Sequence, residues 1–488
     1  YNNTASTNTA VGASALQSNT TAGNNTAVGY QAGYSNTTQA DNTVLGAYAF
    51  YSSTVGVSNT VIGRSAMAAG SGGSNNTAIG YTSLYNNNAS ENTAVGYQSL
   101  YTNDTGAYNT AVGLKALYAN TTGQVNTAVG NAAMQNNTTG IHNVAVGQVA
   151  LFNNTTASYC TAVGKASLVS NTTGAQNTAV GQEALQANTT GTENTAVGAA
   201  SLYSNNGNYN TAIGRLALFN NTSASNNVAV GYAAGYSQTA GFNNVAIGKA
   251  ALYTNNGNEN TAVGESAFAI NSTGGQNVGM GGAAGYYNTT GVSNVAIGKG
   301  ALVTNTTSSY NTAVGRDALY NATGGWNTAL GRNAANNLTT GSNNTVLGFS
   351  AQTSTVTVSN EFTLGNASVT NLRCNDTTIS SLSDARDKTN VVDIPLGLDF
   401  INKMRPVAFD WDRRDGSFKG RKDFGFIAQE LKVIQDETDY AEHLRLVHED
   451  NPEKLEADPM KTFPVLVKAI QELSTQNQEL IARIEALE

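Results

Sequence analysis

From residue 8 to residue 365 the chain repeats one pattern of polar and apolar positions: Asn, Thr or Val, a small residue, an aliphatic residue, then glycine. It reads "NTAVGASAL" at 8, "NTAVGYQAG" at 25, "NTVLGAYAF" at 42 and "NTVIGRSAM" at 59. The glycine returns every 17 residues, sometimes 16, from Gly12 to a degenerate copy at Gly365 in "EFTLG", twenty-two copies in all. A period this short cannot hold a helical hairpin, and it suits one coil of a parallel β-solenoid with two short strands and two turns. The first strand is T-A-V. Its alternation puts β-branched residues on one face and Ala on the other. We expect Ala on the outward face, where its small size lets a second chain approach. The second strand is of the type "YQSLY", with Ala or Ser and then Leu inward and often Tyr or Phe next (Tyr34, Tyr51, Tyr85, Tyr101, Tyr118, Phe152). "NTTG" supplies the turn. The recurring glycine is expected where a side chain would collide with the next coil.

All five prolines fall after residue 390. This is expected of coils whose backbone N–H groups bond their neighbours, a bond that proline cannot donate. Twenty-two coils at strand spacing give a shaft on the order of 100 Å. Beyond it the pattern changes. It predicts a helix near 396–404, a strand over "PVAFDW", a turn at "RRDGSFKG", a strand over "FGFIAQ" and a helix from Glu430. Phe463, Leu466, Ile470, Leu473, Asn477, Leu480, Ile484 and Leu487 then alternate in steps of three and four, a heptad seam. The seam predicts a parallel coiled coil without fixing the number of strands.

Composition sharpens the boundary. Residues 1–375 carry nine Lys/Arg and nine Asp/Glu, whereas residues 376–488 carry fifteen and twenty-three, the whole of the net charge of −8. A neutral shaft with no basic stripe argues against nucleic acid. Its nine acids are scattered over several repeat positions, so no paired carboxylates for hydrolysing an external glycan are expected. Cys160 and Cys374, about 13 coils or roughly 60 Å apart, are out of disulfide reach. Neither they nor His142, His443 and His448 form a metal spacing, and no cofactor is expected. No apolar run is long enough to span a membrane. The start at Tyr1, without Met or a charged and then apolar leader, reads as a fragment or processed product. The many N-x-T triplets read as turn chemistry rather than glycan acceptors, and the Thr column as a strand position rather than an ice-binding array.

Two resemblances add to this. The N-T-A-V-G repeats over about residues 1–370 resemble the β-roll heads of trimeric autotransporter adhesins. "SDARDK", "MRPVAFDW" and "FGFIAQEL", followed by a terminal coiled coil, look like the trimeric intramolecular chaperone domain of phage endosialidases and tail fibres. After "IAQEL" the chain departs from that pattern, with "KVIQDETDYAEHL" in place of a proline-containing stretch. The second resemblance implies that Ser383 is a nucleophile, Lys388 its base, and Leu382–Ser383 the bond cut, in a single-turnover self-cleavage. Arg386 would anchor a neighbouring chain's acid. Read without it, S-D-A-R-D-K is a helix start with Ser383 as the cap.

The expectation is therefore a mainly β protein: a trimeric parallel β-solenoid shaft over 1–370, a linker with the cleavage junction over 371–382, an α+β chaperone over 383–462 and a coiled coil over 463–488. The function implied is that of a phage tail fibre, extracellular on the virion. Its partners would be its own copies, other tail proteins and a host-surface glycan or protein receptor, without membrane insertion. A bacterial surface adhesin is the alternative.

Overall fold

The computed structural model describes residues 5–369, 371–373, 383–413, 419–449 and 455–487. The repeat forms twenty-two three-residue strands, β1 (Thr9–Val11) through β22 (Phe362–Leu364), in one parallel sheet. Each strand pairs with the strand of the next coil in exact sequence register, as in Thr110↔Thr127, Ala111↔Ala128 and Val112↔Val129. The shaft is thus a mainly β, parallel solenoid, as the period implies.

Two details differ from the expectation. First, the strand faces are reversed. The middle residue of almost every strand (Ala111, Ala128, Ala145) is fully buried, while no Thr or Val beside it is. The core is narrow and takes the methyl group; the branched side chains stand outside. The expected outward Ala, and the close approach of chains argued from it, are therefore wrong. Second, each coil contains one strand, not two. After Gly113 the chain runs Leu114-Lys115-Ala116-Leu117, with positive φ at Lys115 (54°) and Leu117 (52°). This alternation of backbone hand lets two consecutive residues, Ala116 and Leu117, both point into the core, which a strand forbids. The segment still bonds its neighbour, Leu117 N–H to Ala133 O at 3.0 Å and Ala119 N–H to Gln135 O at 2.9 Å.

The motif glycine has two reasons. At Gly113 φ is 137°, and a Cβ would stand 2.3 Å from Gly130 O of the next coil.

The turns supply the rest of the core, as two ladders of buried Asn. Asn126 receives Asn109 Oδ1 on its backbone N–H (3.0 Å) and on its side-chain amide (3.1 Å), and its Nδ2 also donates to Gly140 O (2.9 Å). Asn137 Nδ2 donates to Asn120 Oδ1 (2.8 Å) and to the same Gly140 O (3.1 Å). Stacked coils thus satisfy polar groups that burial would otherwise penalise. The Asn of triplets such as Asn120-Thr121-Thr122 is fully buried, in keeping with turn chemistry. The Tyr ladder packs between coils: Tyr85, Tyr101 and Tyr118 stack at 5.1 and 5.2 Å, so neighbours cover most ring faces. His142 stacks on Tyr159 in the same way.

Beyond the shaft lie α1 (Leu398–Lys403), β23 (Val407–Asp410), β24 (Lys422–Gly425), α2 (Ala428–Asp436), α3 (Ala441–Leu444), β25 (Val447–His448), β26 (Glu456–Ala457) and α4 (Phe463–Glu485). The second expected strand sits earlier than "FGFIAQ". Pairing from Val407↔Gly425 to Asp410↔Lys422 draws Lys422 and Asp423 into the hairpin, and Ala428 and Gln429 open α2 instead. Phe400, Leu431, Ile434, Leu444, Leu446, Val447 and Val465 form this part's core. Most of the expected linker 371–382, including Cys374 and Leu382, and the middle of "RRDGSFKG" lie outside the described residues.

Candidate functional site

Ser383 and Lys388 bracket one turn of 3₁₀ helix, Ala385–Asp387. The cap of that turn is Asp384, not Ser383: its Oδ1 accepts from Arg386 N–H at 2.9 Å. The Ser383 hydroxyl is therefore not spent on capping. The turn folds Lys388 back so that Nζ lies 2.6 Å from Ser383 Oγ and 3.3 Å from Ser383 O. The two residues singled out in the sequence are thus brought into direct contact. Leu382, on the other side of the expected cleavage bond, is outside the described residues.

Arg386 turns onto its own chain's Asp384, Nη2 to Oδ2 at 2.6 Å. The hydrogen bonds from Arg386 hold the Asp384 carboxyl below the usual range, and the same pairing raises the guanidinium. Both are solvent-exposed, so the pair shapes the turn more than it stabilises the fold. The expected anchoring of another chain's acid by Arg386 is replaced, in the single chain, by this local contact.

Two polar residues that tie the C-terminal elements together were not singled out in the sequence. Glu472 on α4 accepts from Leu398 N–H at the start of α1, 2.7 Å from Oε2, and a Cβ at Gly397 would collide with that carboxylate. Gln435 is buried, and its Oε1 accepts from Leu446 N–H (2.6 Å) and Val447 N–H (3.3 Å). Each is one polar residue in an amphipathic helix, which spacing alone cannot distinguish from a solvated position.

α4 docks through Val465, Ala469 and Glu472. The heptad seam lies on other positions and is uncovered: Leu466, Ile470, Leu473, Leu480 and Ile484 are all exposed. The helix is therefore present and its apolar seam is unpartnered in one chain. Among the described residues, no helix is long and apolar enough to cross a membrane.

No curated protein and no solved structure matches the chain. One family model does, over residues 383–440, beginning at the Ser383–Lys388 turn and running past Leu431 into the stretch that departs from the expected pattern: C-terminal to its β-solenoid, the chain carries a segment that matches the chaperone of endosialidase family.

Proposed function

We propose that the protein is a phage tail fibre: a homotrimer on the virion that attaches to the host surface, with the solenoid as shaft and the segment from Ser383 as an assembly device cut away by its own chemistry. One observation carries the assembly reading. The residue before the motif glycine is Val, Ile, Leu or Met in all twenty-two coils, and in none is it buried. A continuous aliphatic stripe of this length exceeds what a lone soluble chain leaves to water. A partner that covers it from end to end needs the same rung spacing, which a second copy of the chain supplies. The unpartnered seam of α4 and the chaperone family match support the same reading.

Such a shaft has a registry problem. Every coil offers nearly the same surface, so copies can pair one rung out of step, and each misalignment is locally as good as the right one. A C-terminal unit that associates first sets three chains at equal height. Removing it afterwards leaves a rod that cannot reassemble in register once unfolded, so its persistence is set by its unfolding rate alone.

The proposed cleavage runs as follows. Lys388, as the neutral amine, takes the proton of Ser383 Oγ. Oγ attacks the Leu382 carbonyl carbon, the C–N bond to Ser383 breaks, and the lysine proton passes to the departing nitrogen. Water then hydrolyses the ester, leaving a Leu382 carboxylate and a free Ser383 amine. A lysine acts as a base only where its surroundings favour the neutral form, and removal from water does that. Ser383 and Lys388 are exposed in the single chain. Cleavage is therefore proposed to follow assembly.

Wild type and Ser383→Ala, compared on a denaturing gel, test this. Wild type should lose the 106 residues from Ser383 onward and the variant should keep them. Full-length bands from both would remove the cleavage claim. A solution mass of one chain for the variant would remove the assembly claim.

A further inference from the structure

Seven of the nine Lys/Arg in residues 1–375 fall at a single repeat position, directly after the motif glycine: Arg64, Lys165, Arg215, Lys249, Lys299, Arg316 and Arg332. All seven are exposed. Tyr30, Tyr81, Tyr97, Tyr232 and Phe349 share the column and are exposed as well. The cations therefore form a line, although the shaft as a whole is neutral.

Most cations in the line are isolated or neutralised within it. Lys249 bonds Glu265 of the next coil at 3.0 Å. One run departs from this. Lys299, Arg316 and Arg332 occupy three consecutive coils whose strands pair in register, Val295↔Thr312↔Thr328. Their backbones stand about 4.8 Å apart. Like charges at facing positions repel. Asp317 relieves part of this by bonding Arg316 Nε at 3.0 Å, which leaves the run with a net +2. Arg332 lies over the Phe349 ring, 5.9 Å from its centroid, and so closes the run with an aromatic face. A fold that isolates or pairs cations elsewhere in the column but stacks three of them here breaks a local rule without a structural return, and such breaks mark functional positions.

We propose that this run, closed by Phe349, binds a linear acidic polysaccharide laid along the shaft, its carboxylates on Lys299, Arg316 and Arg332 and a sugar face on the ring. The inference rests on the host-attachment reading and names the ligand class. A rigid row with a fixed rung spacing fits a stiff polymer with regularly spaced charges. Nucleic acid is disfavoured, because Gly282 and Glu265 interrupt the column and its charge is too sparse for one phosphate per nucleotide.

The test uses the full chain in affinity electrophoresis through gels containing linear polygalacturonate, neutral dextran or oligo-dT. Polygalacturonate should retard the wild type, the retardation fading with salt, and the triple variant Lys299→Ser/Arg316→Ser/Arg332→Ser should bind about tenfold more weakly. Arg64→Ser/Lys165→Ser should bind as wild type. Sedimentation and the cleavage band, read on the same samples, report assembly independently, so lost binding by an intact assembly sinks the ligand and not the fibre. Equal affinity of the triple variant, equal retention by dextran, or stronger retention by oligo-dT would overturn the proposal.

Discussion

The ring of Phe268 fills the space in which a side chain at Gly279 would stand: a Cβ there would lie 2.5 Å from Cδ2. Phe268 occupies the core position that most coils give to Leu, and Gly279 the strand position that most give to Ala. Gly285, in the next coil, also faces the ring, its Cβ position 2.4 Å from Cε1. One enlarged side chain is thus offset by two that are missing, the volume balance expected of a close-packed interior.

This pairing predicts coupling. Gly279→Ala alone should lower stability by about 1–3 kcal/mol through overpacking. In a Phe268→Leu background the same substitution should be nearly neutral or stabilising, because the ring is gone and Ala is the usual occupant. Thermal unfolding of the two single variants and the double variant checks it; additive losses would show that the contact does not govern the fit.

A second prediction concerns a gap in the Asn ladder. Asn143 Oδ1 accepts from Cys160 N–H at 2.8 Å, but Cys160 has no side-chain oxygen to offer the next rung. Its thiol points instead to Gly174 O at 3.3 Å, and burial pushes its pKa up from 9.0 to about 11. Cys160→Asn should restore the ladder and raise stability by about 1 kcal/mol. The sign of the pH effect follows from the raised value. Between about pH 9 and 11 the unfolded thiol loses its proton while the folded one keeps it, so this contribution is intact below pH 9 and is lost as pH rises through that window. The wild type should therefore lose stability there more steeply than Cys160→Asn, measured by unfolding across the range.

How much of this was legible follows from what each residue type encodes. The period and its glycine were readable because only glycine tolerates both the backbone hand at Gly113 and the contact with Gly130 O. The inward Ala was not. A T-A-V strand has two candidate faces, and the more apolar one, Val112 with its neighbours, lies outside. The turn after the glycine was misread as a strand because Lys115 and Leu117, with positive φ, are residues with no preference for it; stacking imposes that conformation. Ser383 and Lys388 stood out only through resemblance, since the residues alone suggest a helix start, and it is Asp384 that takes the cap. Glu472 could not be found at all, because its partner Leu398 N–H lies 74 residues away.

The two faces of α4 should respond differently to mutation. Ile470 is exposed in the single chain, so Ile470→Lys should leave the helix and its docking in place but abolish self-association, read by sedimentation and by far-ultraviolet circular dichroism. Glu472→Gln keeps the shape and removes the charge at the start of α1. It should cost about 1 kcal/mol in unfolding and leave association nearly unchanged. If Ile470→Lys associates like the wild type, the seam does not join chains.

The aliphatic stripe separates a lone shaft from an assembled one most directly. Val146 and Val180 stand before the glycines of two coils and are exposed in the single chain. If that exposure persists in solution, Val146→Asp/Val180→Asp changes surface residues and stability should move by no more than about 0.5 kcal/mol. If other copies cover the stripe, the same change places uncompensated charges in each interface, at several kcal/mol per assembly. We expect the second outcome: chains of the double variant that associate through their C-terminal ends but yield shafts open to proteolysis where wild-type shafts resist. Thr161, two residues before the stripe's Val163 and also unburied, provides the control. Thr161→Ser keeps the hydroxyl and adds no charge, so it should assemble as wild type. Resistant shafts from the double variant would mean that water, not a second chain, lies against the stripe.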